Sequence, residues 1–596
     1  MRSRTRTGTE ILLAASVIGV FGNLMLRATP WGLNAFLFVA VFTAAMFLIA
    51  IRRRPELLTP RSIALQAAMI FFASVYLIRD SIELRVYDTI AIIVIMGVLV
   101  LPNFGVNQRI AGVFHYAAGF VWSGLSSLFA PFVLLGADID WKEMPGNRLS
   151  KSVFSVLRGL AIALPLVLIF GALFMAADAA FENFANRIVN FDIDTVISHV
   201  MLTSLLAWLT AGYFRGTLID SFTRAAAAAT SPIPKADDAK QEAKTDAGET
   251  GTSFVDKFAA EQAEDTSLPN NATVVEHINI TDLPHAEVRT GGDSDAVSDE
   301  PAPAAQKRDW QNWDNTKFPQ VFTLGRVETI IILGLIDALF LSFVLFQIPY
   351  LFGGMDLVQN TPDLKLADFA RRGFGELVAV AFLVLPMLLA SHWLLRRDNA
   401  KNETIFRVLA GVQIALLFVI MASAMQRLIL LTGELGYGWT TVRFYPMVFM
   451  IWLAVVFVWF GWTVLRGNRN NFAWGALWSA IIILGATNLM NPDDFIARKN
   501  IQLMQQGREF DAYYNARLSD DAFPALIEGL RLMSAEDQCE AKSTMHYRYR
   551  ELGQMTDLRT FNFSNRAAFE LMRENDPVMH ETADCPPYLQ NTAEGY

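Results

Sequence analysis

Long apolar runs constrain this chain more than any other feature of its sequence. Crossing about 30 Å of hydrocarbon takes roughly 20 helical residues, and unpaired backbone groups in lipid are so costly that only helices or closed barrels cross. Eleven runs, each bounded by charges, Pro or Gly, approach this length: 11–26, 31–51, 63–78, 86–101, 156–177, 196–213, 330–352, 377–395, 408–424, 444–465 and 472–490. They predict eleven transmembrane helices.

The composition supports the same fold class. Hydrophobic residues make up 53% of the 596 residues and charged residues only 18%, whereas a soluble domain carries about 25% charged residues. The alternation of polar and apolar residues that marks a membrane β-barrel is missing from the sequence. The predicted fold is therefore all-α: a polytopic integral membrane helical bundle with one interfacial or re-entrant segment, a disordered central linker and a small helical tail.

Residues 110–135 are ambiguous, because they are apolar enough to cross but contain His115, Pro131 and several Gly and Ser. The distribution of positive charge decides between the alternatives. With this stretch in the interface and the N-terminus in the cytoplasm, the inside loops hold 17 Lys and Arg and the outside loops 9, which agrees with the positive-inside rule. The sequence thus predicts a cytoplasmic N-terminus and an extracytoplasmic C-terminus.

The acidity of the chain belongs to one segment. Between residues 231 and 306, Asp and Glu number 16 and Lys and Arg 5, against a net charge of -9 for the whole chain. This segment is rich in Ala, Thr, Ser and Pro and cannot bury enough apolar surface to offset its ordering entropy. We expect a disordered cytoplasmic linker over residues 225–325.

The two cysteines, Cys539 and Cys585, both follow the last apolar run. Two cysteines in one small segment are typical of a single disulfide in an oxidising compartment, although two unrelated buried thiols are the alternative. Their position agrees with a tail outside the cytoplasm. The chain then divides into a four-helix membrane region, an interfacial segment and cytoplasmic loop, membrane helices, the linker, a five-helix membrane region and the tail: 1–101, 102–155, 156–224, 225–325, 326–490 and 491–596.

Familiar chemical motifs are missing from the sequence. There is no P-loop, HExxH, GxSxG in a strand-turn-helix context, or CxxC, and the seven histidines are scattered. We therefore expect no catalytic motif, no metal and no cofactor. No basic tract is long enough to hold nucleic acid, so the expected partner is membrane lipid.

Ionisable residues inside apolar runs are expensive in lipid and are functional candidates. Asp337 lies about two turns into its run among Ile, Leu and Ala. One interpretation is ion or proton coupling. The other, which we favour, is a carboxyl that is protonated or hydrogen-bonded to another helix.

A denser group of polar residues, the outer cluster, borders the outer ends of the last five runs. Arg372 and Glu376 are four residues apart and so share a helix face. Arginines can fork onto a carboxylate or phosphate, so the cluster could bind an anion or a lipid headgroup. The alternative is an Arg–Glu network that fixes helix packing. The candidate ligand-binding residues are Arg371, Arg372, Glu376, Arg427, Tyr437 and Arg443.

Several of these stretches carry a family resemblance. The order and spacing of RVET, QIPYLFGG, FARRGFGEL, YGWTTVR and NPDDFIA at 326–329, 347–354, 369–377, 437–443 and 491–497 resemble a bacterial polytopic membrane family, domain of unknown function 4173, with its sister family 4153 as the alternative. The resemblance covers roughly residues 156–530 and implies no activity. The acidic insert and Asp337 depart from the family pattern, and the second departure weakens Asp337 as a family-wide coupling residue.

The leading hypothesis is a bacterial inner-membrane protein, not an enzyme, with a sensing, transport-related or scaffolding role and an anion or lipid-headgroup site on its outer face. One alternative is an intramembrane enzyme acting on a lipid-linked substrate, with Glu376 as general base and Arg371, Arg372 or Arg427 holding phosphate. The other is an ion- or proton-coupled transporter that uses Asp337.

Overall fold

A computed structural model describes residues 3–141, 193–219, 323–352, 374–396, 400–433, 438–467 and 471–575. The chain divides into two units, one formed by Met1–Ser221 with Trp310–Tyr596 and the other by Phe222–Asp309. All described residues belong to the first unit. The predicted linker, apart from its last three residues, and the predicted helix at 156–177 lie outside the described residues.

Ten of the eleven predicted runs form helices, and the run at 156–177 lies outside the described residues. A further helix forms in the ambiguous stretch 110–135. Eleven helices in the described part of the chain are long and apolar enough to cross a membrane, so the protein is a multi-pass helical membrane protein. In chain order they are α1 (Ser3–Leu26), α2 (Leu33–Arg53), α3 (Pro60–Ile78), α4 (Ile82–Leu99), α5 (Val113–Val133), α6 (Ile193–Leu218), α7 (Arg326–Phe352), α8 (Phe374–Leu394), α9 (Ala400–Thr432), α10 (Thr441–Thr463) and α11 (Phe472–Met490).

The described part of the tail, residues 491–575, forms five further α-helices, which agrees with the predicted small helical tail. They are α12 (Pro492–Gln505), α13 (Ala512–Ala516), α14 (Phe523–Gly529), α15 (Ala535–Gln554) and α16 (Phe563–Glu574). Their apolar sides meet in a core of their own around Phe523, Leu526 and Met545. Pro492 starts α12 directly after α11, where its missing N–H costs no helical hydrogen bond.

The tail packs on one end of the membrane bundle, here called the tail face. The N–H of Leu33 at the start of α2 donates to the carbonyl of Phe561 over 2.9 Å. Asn562 donates to the carbonyls of Tyr76 and Arg79 at the end of α3 over 2.9 and 2.8 Å. The bonds from Asn562 satisfy carbonyls at the end of α3, and the bond from Leu33 satisfies an N–H that the start of α2 leaves unpaired. The tail is therefore joined to the membrane helices by backbone groups as well as by side chains.

Helix α5 is long and apolar enough to cross, yet both of its ends lie at the face opposite the tail. At its start, Tyr116 donates to the carbonyl of Gln108 over 2.8 Å, and Gln108 accepts from Ser62 in the first turn of α3 over 3.4 Å. Just after its end, Asp138 pairs with Arg4 in the first turn of α1 over 2.8 Å. Because α1 and α3 both end at the tail face, their first turns lie at the other face. This geometry agrees with the predicted interfacial or re-entrant segment.

The membrane helices enclose two apolar cores. One is built from α1–α4 and α6, with large buried side chains such as Phe72 and Phe214, and the other from α7–α10, with Phe406 and Phe460. Helix α11 contributes its Trp and Leu side chains to the first core, and Phe472 and Ala476 to the second. It therefore joins the two halves of the bundle, and its last residues lead directly into the tail.

Candidate functional site

The structure describes only part of the predicted outer cluster. Arg427 is buried on α9, near its tail-face end, and Arg443 lies in the first turn of α10, where it donates to the carbonyl of Gly438. The backbone of Glu376 lies in the first turn of α8, and its side chain is outside the described part. Arg371, Arg372 and Tyr437 also lie outside it. The anion site therefore stays a prediction.

Arg443 lines a small cleft of about 340 Å³ between α10 and the tail. The cleft also contains Asn500, Asp511 and Tyr514. Asn500 accepts from the N–H of Trp439 over 2.6 Å and donates to Asn515 over 2.9 Å. The cleft is thus a polar seam that fixes the α9–α10 connection to the tail.

Asp337 is buried on α7 with 7% of its surface exposed, and neither carboxyl oxygen has a hydrogen-bond partner among the described residues. Gln413 on the neighbouring α9 is fully buried, and both of its amide atoms are also unpartnered in the described part. The proton-coupling and packing interpretations of Asp337 both stay open.

A carboxyl that the sequence analysis missed lies inside another span. Asp88 on α4 is fully buried, and its Oδ1 accepts a 2.8 Å hydrogen bond from Asn488 on α11. The pair joins the two halves of the bundle close to the tail face. The sequence could have indicated Asp88, because it is an acidic residue within the predicted run 86–101. The same criterion identified Asp337 as a candidate.

A large polar cavity lies between the tail and the membrane helices, and we call it the tail pocket. It measures about 840 Å³. Its walls come from the α3–α4 connection, the starts of α4 and α10, and the tail segments α12, α13 and α15. Six acidic side chains and two arginines line it: Asp80, Glu83, Asp493, Asp520, Glu540, Glu551, Arg517 and Arg548. Its lining is therefore strongly acidic.

One wall of the tail pocket is an ion-pair network centred on Arg548 of α15. The guanidinium donates to Asp520 Oδ1 over 2.7 Å and to Asp520 Oδ2 and Asp80 Oδ2 over 3.2 Å each. Asn565 donates to Asp520 Oδ2 over 2.7 Å and to Asp80 Oδ1 over 3.3 Å. Bidentate pairing of this kind is strong and directional. These acids are therefore engaged in holding the tail to the α3–α4 connection.

Asp521 has a structural role beside this network. Its Oδ2 accepts from the N–H groups of Asp80 and Ser81 over 2.7 and 3.2 Å, and its Oδ1 accepts from Arg79 over 3.4 Å. Two otherwise unpaired backbone donors before α4 are satisfied in this way. Asp521 thus fixes the chain between α3 and α4 in the conformation that the tail recognises.

Asp493 differs from both of these acids. It is buried in the first turn of α12 with 1% of its surface exposed. Its Oδ2 accepts from the hydroxyl and the N–H of Ser519, while its Oδ1 has no hydrogen-bond partner among the described residues. A buried, unpartnered carboxylate oxygen is costly. Because Asp493 lines the tail pocket, this oxygen is the candidate acceptor for an incoming donor.

Burial sets the electrostatics of the pocket. It raises the pKa of Asp493 to about 6, and the hydrogen bond from Ser519 opposes this effect. Burial and then the negative charge of Asp80 raise the pKa of Asp520 to about 6 as well, against the opposing effect of Arg548. Both acids are ionised above this pH. A positively charged donor would favour the ionised form of Asp493 and relieve the repulsion among the lining carboxylates.

The remaining predicted features can be placed more briefly. Cys539 is buried in α15 and is disulfide-bonded, and Cys585 lies outside the described residues, so the pairing itself stays a prediction. Within the described ranges, no group of His, Cys, Asp or Glu is arranged to hold a metal ion.

The sequence analysis did not find the tail pocket, although it quoted the stretch at 491–497 that contains Asp493. The pocket brings Asp80 together with Asp520 and Arg548. Each of these two tail residues lies more than 400 positions after Asp80 in the chain. The available signals were Asp80 in a short connection between two spans and the acidic first turn after Pro492. Neither signal shows that the two positions meet.

The fold and the pocket define a class: multi-pass helical membrane proteins whose C-terminal helical domain closes over one end of the bundle. The comparisons with known proteins then give the family. A family model described as Domain of unknown function (DUF4153) matches residues 66–245 and 302–529, so the chain belongs to this family. This is the family given as the alternative above, and the match does not support family 4173. No curated protein and no solved structure matches the chain.

Proposed function

We propose that this protein is a multi-pass protein of the bacterial inner membrane that binds a ligand with positively charged groups in its tail pocket. Its role is in sensing or transport, because the tail that closes the pocket is attached directly to the helices that cross the membrane. A ligand that changes how the tail sits on α3, α4 and α10 would change those helices as well.

The unpaired Oδ1 of Asp493 carries this proposal. It is buried in a pocket where six carboxylates face two arginines. A cationic donor would supply the missing hydrogen bond and reduce the excess negative charge, and hydrogen bonds between charged groups are stronger than neutral ones. An anion would add to the negative charge of the pocket and could not donate a hydrogen bond to this carboxylate.

The orientation of the chain is part of the proposal. The excess of positive charge in the loops opposite the tail favours a cytoplasmic N-terminus, which places the tail and its pocket outside the cytoplasm. The ligand would then come from the periplasmic side or from the outer leaflet. Labelling of a cysteine introduced at Ser519, with both native cysteines replaced, tests this arrangement in intact cells.

Thermal unfolding with spermidine tests the proposed ligand class. We expect millimolar spermidine to raise the melting temperature of the purified full chain by several degrees, since a ligand stabilises the state it binds. Asp493→Asn should abolish this shift. Asp494→Asn is the matched control, because Asp494 pairs with Arg498 over 2.8 Å and lies outside the pocket lining. The same shift in Asp493→Asn as in the wild type, or a shift reproduced by NaCl at equal ionic strength, would contradict the proposal.

The outer cluster supports a second candidate, the binding of an anion or lipid headgroup by Arg427 and Arg443. Its supporting observation is the cleft beside Arg443, which shares Tyr514 with the tail pocket. Stabilisation by inorganic phosphate or phosphatidylglycerol that is lost in Arg443→Gln would favour this candidate. The enzymatic alternative with Glu376 as general base and the transporter alternative with Asp337 stay predictions.

A further inference from the structure

A second large cavity lies inside the membrane bundle. It measures about 720 Å³ and is lined by α4, α5, α8, α10 and α11. On α11 its lining runs from Phe472 to Thr487, which corresponds to about 22 Å of helix. The cavity therefore spans most of the roughly 30 Å of hydrocarbon and separates helices of the two apolar cores.

The lining of this membrane cavity consists mostly of apolar side chains, and the cavity lies at the depth of the membrane hydrocarbon. Three of its few polar side chains bond elsewhere in the protein: Tyr116 donates to the carbonyl of Gln108, Trp452 to Ser479 and Thr487 to the carbonyl of Ile483. Apolar cavities that offer no polar partners exclude water. At this depth the available apolar occupant is a hydrocarbon chain.

The membrane cavity and the tail pocket share two walls. On α4, Glu83 lines the tail pocket and Tyr87, one turn further, lines the membrane cavity. On α10, Thr441 and Tyr445 are related in the same way. Residues four apart lie on one helix face, so each helix presents one continuous surface that changes from polar to apolar.

Tyr87 and Tyr445 mark the boundary between the two spaces. Their ring centroids are 5.1 Å apart, and the hydroxyl of Tyr445 shares a 3.5 Å hydrogen bond with Ser81. Tyrosines are typical of the depth at which headgroups meet acyl chains. Leu84, Phe444 and Ile496 form a small buried apolar cluster with Tyr445.

We infer that the ligand of the tail pocket is an amphiphile: its positively charged headgroup lies at Asp493 and its hydrocarbon chain passes the tyrosine pair into the membrane cavity. The inference rests on the proposed function for the headgroup and on the membrane cavity for the chain. Each methylene that leaves water for the cavity should raise the affinity about fourfold. Chain length is therefore the property that separates this inference from binding of a water-soluble cation.

An alkylamine series tests the inference. Thermal unfolding of the full chain in a nonionic detergent is followed with butylamine, octylamine and dodecylamine, and with the alcohols of equal length. We expect the shift in melting temperature to increase with chain length and to exceed that of the matched alcohol. Ala480→Phe, which fills the membrane cavity, should remove the dependence on length and leave the butylamine response unchanged. The control is Ala486→Phe on an exposed face of the same helix.

The possible failures can be told apart. Equal shifts for the three amines, or a dependence on length that persists in Ala480→Phe, would overturn the chain inference and leave the proposed function standing. An unchanged amine response in Asp493→Asn would instead overturn the proposed function. If Ala480→Phe does not fold, Ala476→Leu fills the same cavity with less volume, and the comparison of amines with alcohols in the wild type decides independently.

Discussion

The tail pocket and the described part of the outer cluster lie at the same face of the bundle, but carboxylates dominate the first and arginines form the second. The outer cluster was predicted from arginines near the ends of neighbouring helices, and its described members, Arg427 and Arg443, stand beside the α9–α10 connection. The tail pocket is acidic and is closed by a domain that follows the last span. Position near one membrane surface therefore does not determine the chemistry of a site, because a folded tail can bring its own charges to that surface.

The acids of the tail pocket also differ among themselves. Asp520 and Asp80 are held by Arg548 and Asn565, and Asp521 by backbone donors, so these three join the tail to the bundle. Asp493 keeps one oxygen unpartnered in the described part of the chain. Asp80, Asp520 and Asp521 therefore hold the pocket together, whereas Asp493 is available to a ligand. Substitutions that affect the first three should lower stability, and substitution of Asp493 should change ligand binding.

The largest effect is expected from Arg548→Gln. It leaves the buried Asp520 without its guanidinium partner, whereas Asp80 keeps Arg85 over 3.0 Å. Breaking a buried ion pair from one side costs about 3 kcal/mol or more. Denaturant unfolding of the purified chain measures this loss. Arg550→Gln, at an exposed position on the same helix, should change the free energy of unfolding by less than about 0.5 kcal/mol. Equal small losses in both variants would show that the network does not hold the tail.

A smaller effect of opposite sign is expected from Asp493→Asn. Burial raises the pKa of Asp493 to about 6, above the ordinary value, so protonation of this group stabilises the fold. That contribution is fully present below about pH 4 and is lost as the pH rises through 6. At pH 7.5 the variant should therefore be about 3 kcal/mol more stable than the wild type. The difference should disappear near pH 4, and a variant that is less stable at pH 7.5 would contradict this account.

The smallest effect is expected from Arg443→Gln on the response to spermidine. If the tail pocket binds the cation, this substitution in the neighbouring cleft should change the apparent dissociation constant by less than about twofold, equivalent to roughly 0.4 kcal/mol. Titration of the melting temperature measures it. A loss of response comparable to that of Asp493→Asn would mean that the two regions form one site.

Most of the fold could be predicted from the sequence. A helix that crosses lipid needs a continuous apolar run, and such a run is visible in consecutive residues without knowledge of the tertiary structure. For α5, the prediction of an interfacial segment rests on the charge of the following loop, while the helix itself is long and apolar enough to cross. The tail pocket could not be predicted in this way. Asp80, Asp493 and Asp520 each look like ordinary polar residues at helix ends, and only the docking of the tail brings them together. Asp88 shows a different limit, because its partner Asn488 is 400 positions away.

The most direct test of the central claim is an experimental structure of the full chain in phosphatidylglycerol nanodiscs with dodecylamine present. The account predicts density in the tail pocket within hydrogen-bond distance of Asp493 Oδ1, continuing past Tyr87 and Tyr445 into the membrane cavity. An empty tail pocket, with lipid phosphate bound instead at Arg427 and Arg443, would contradict it.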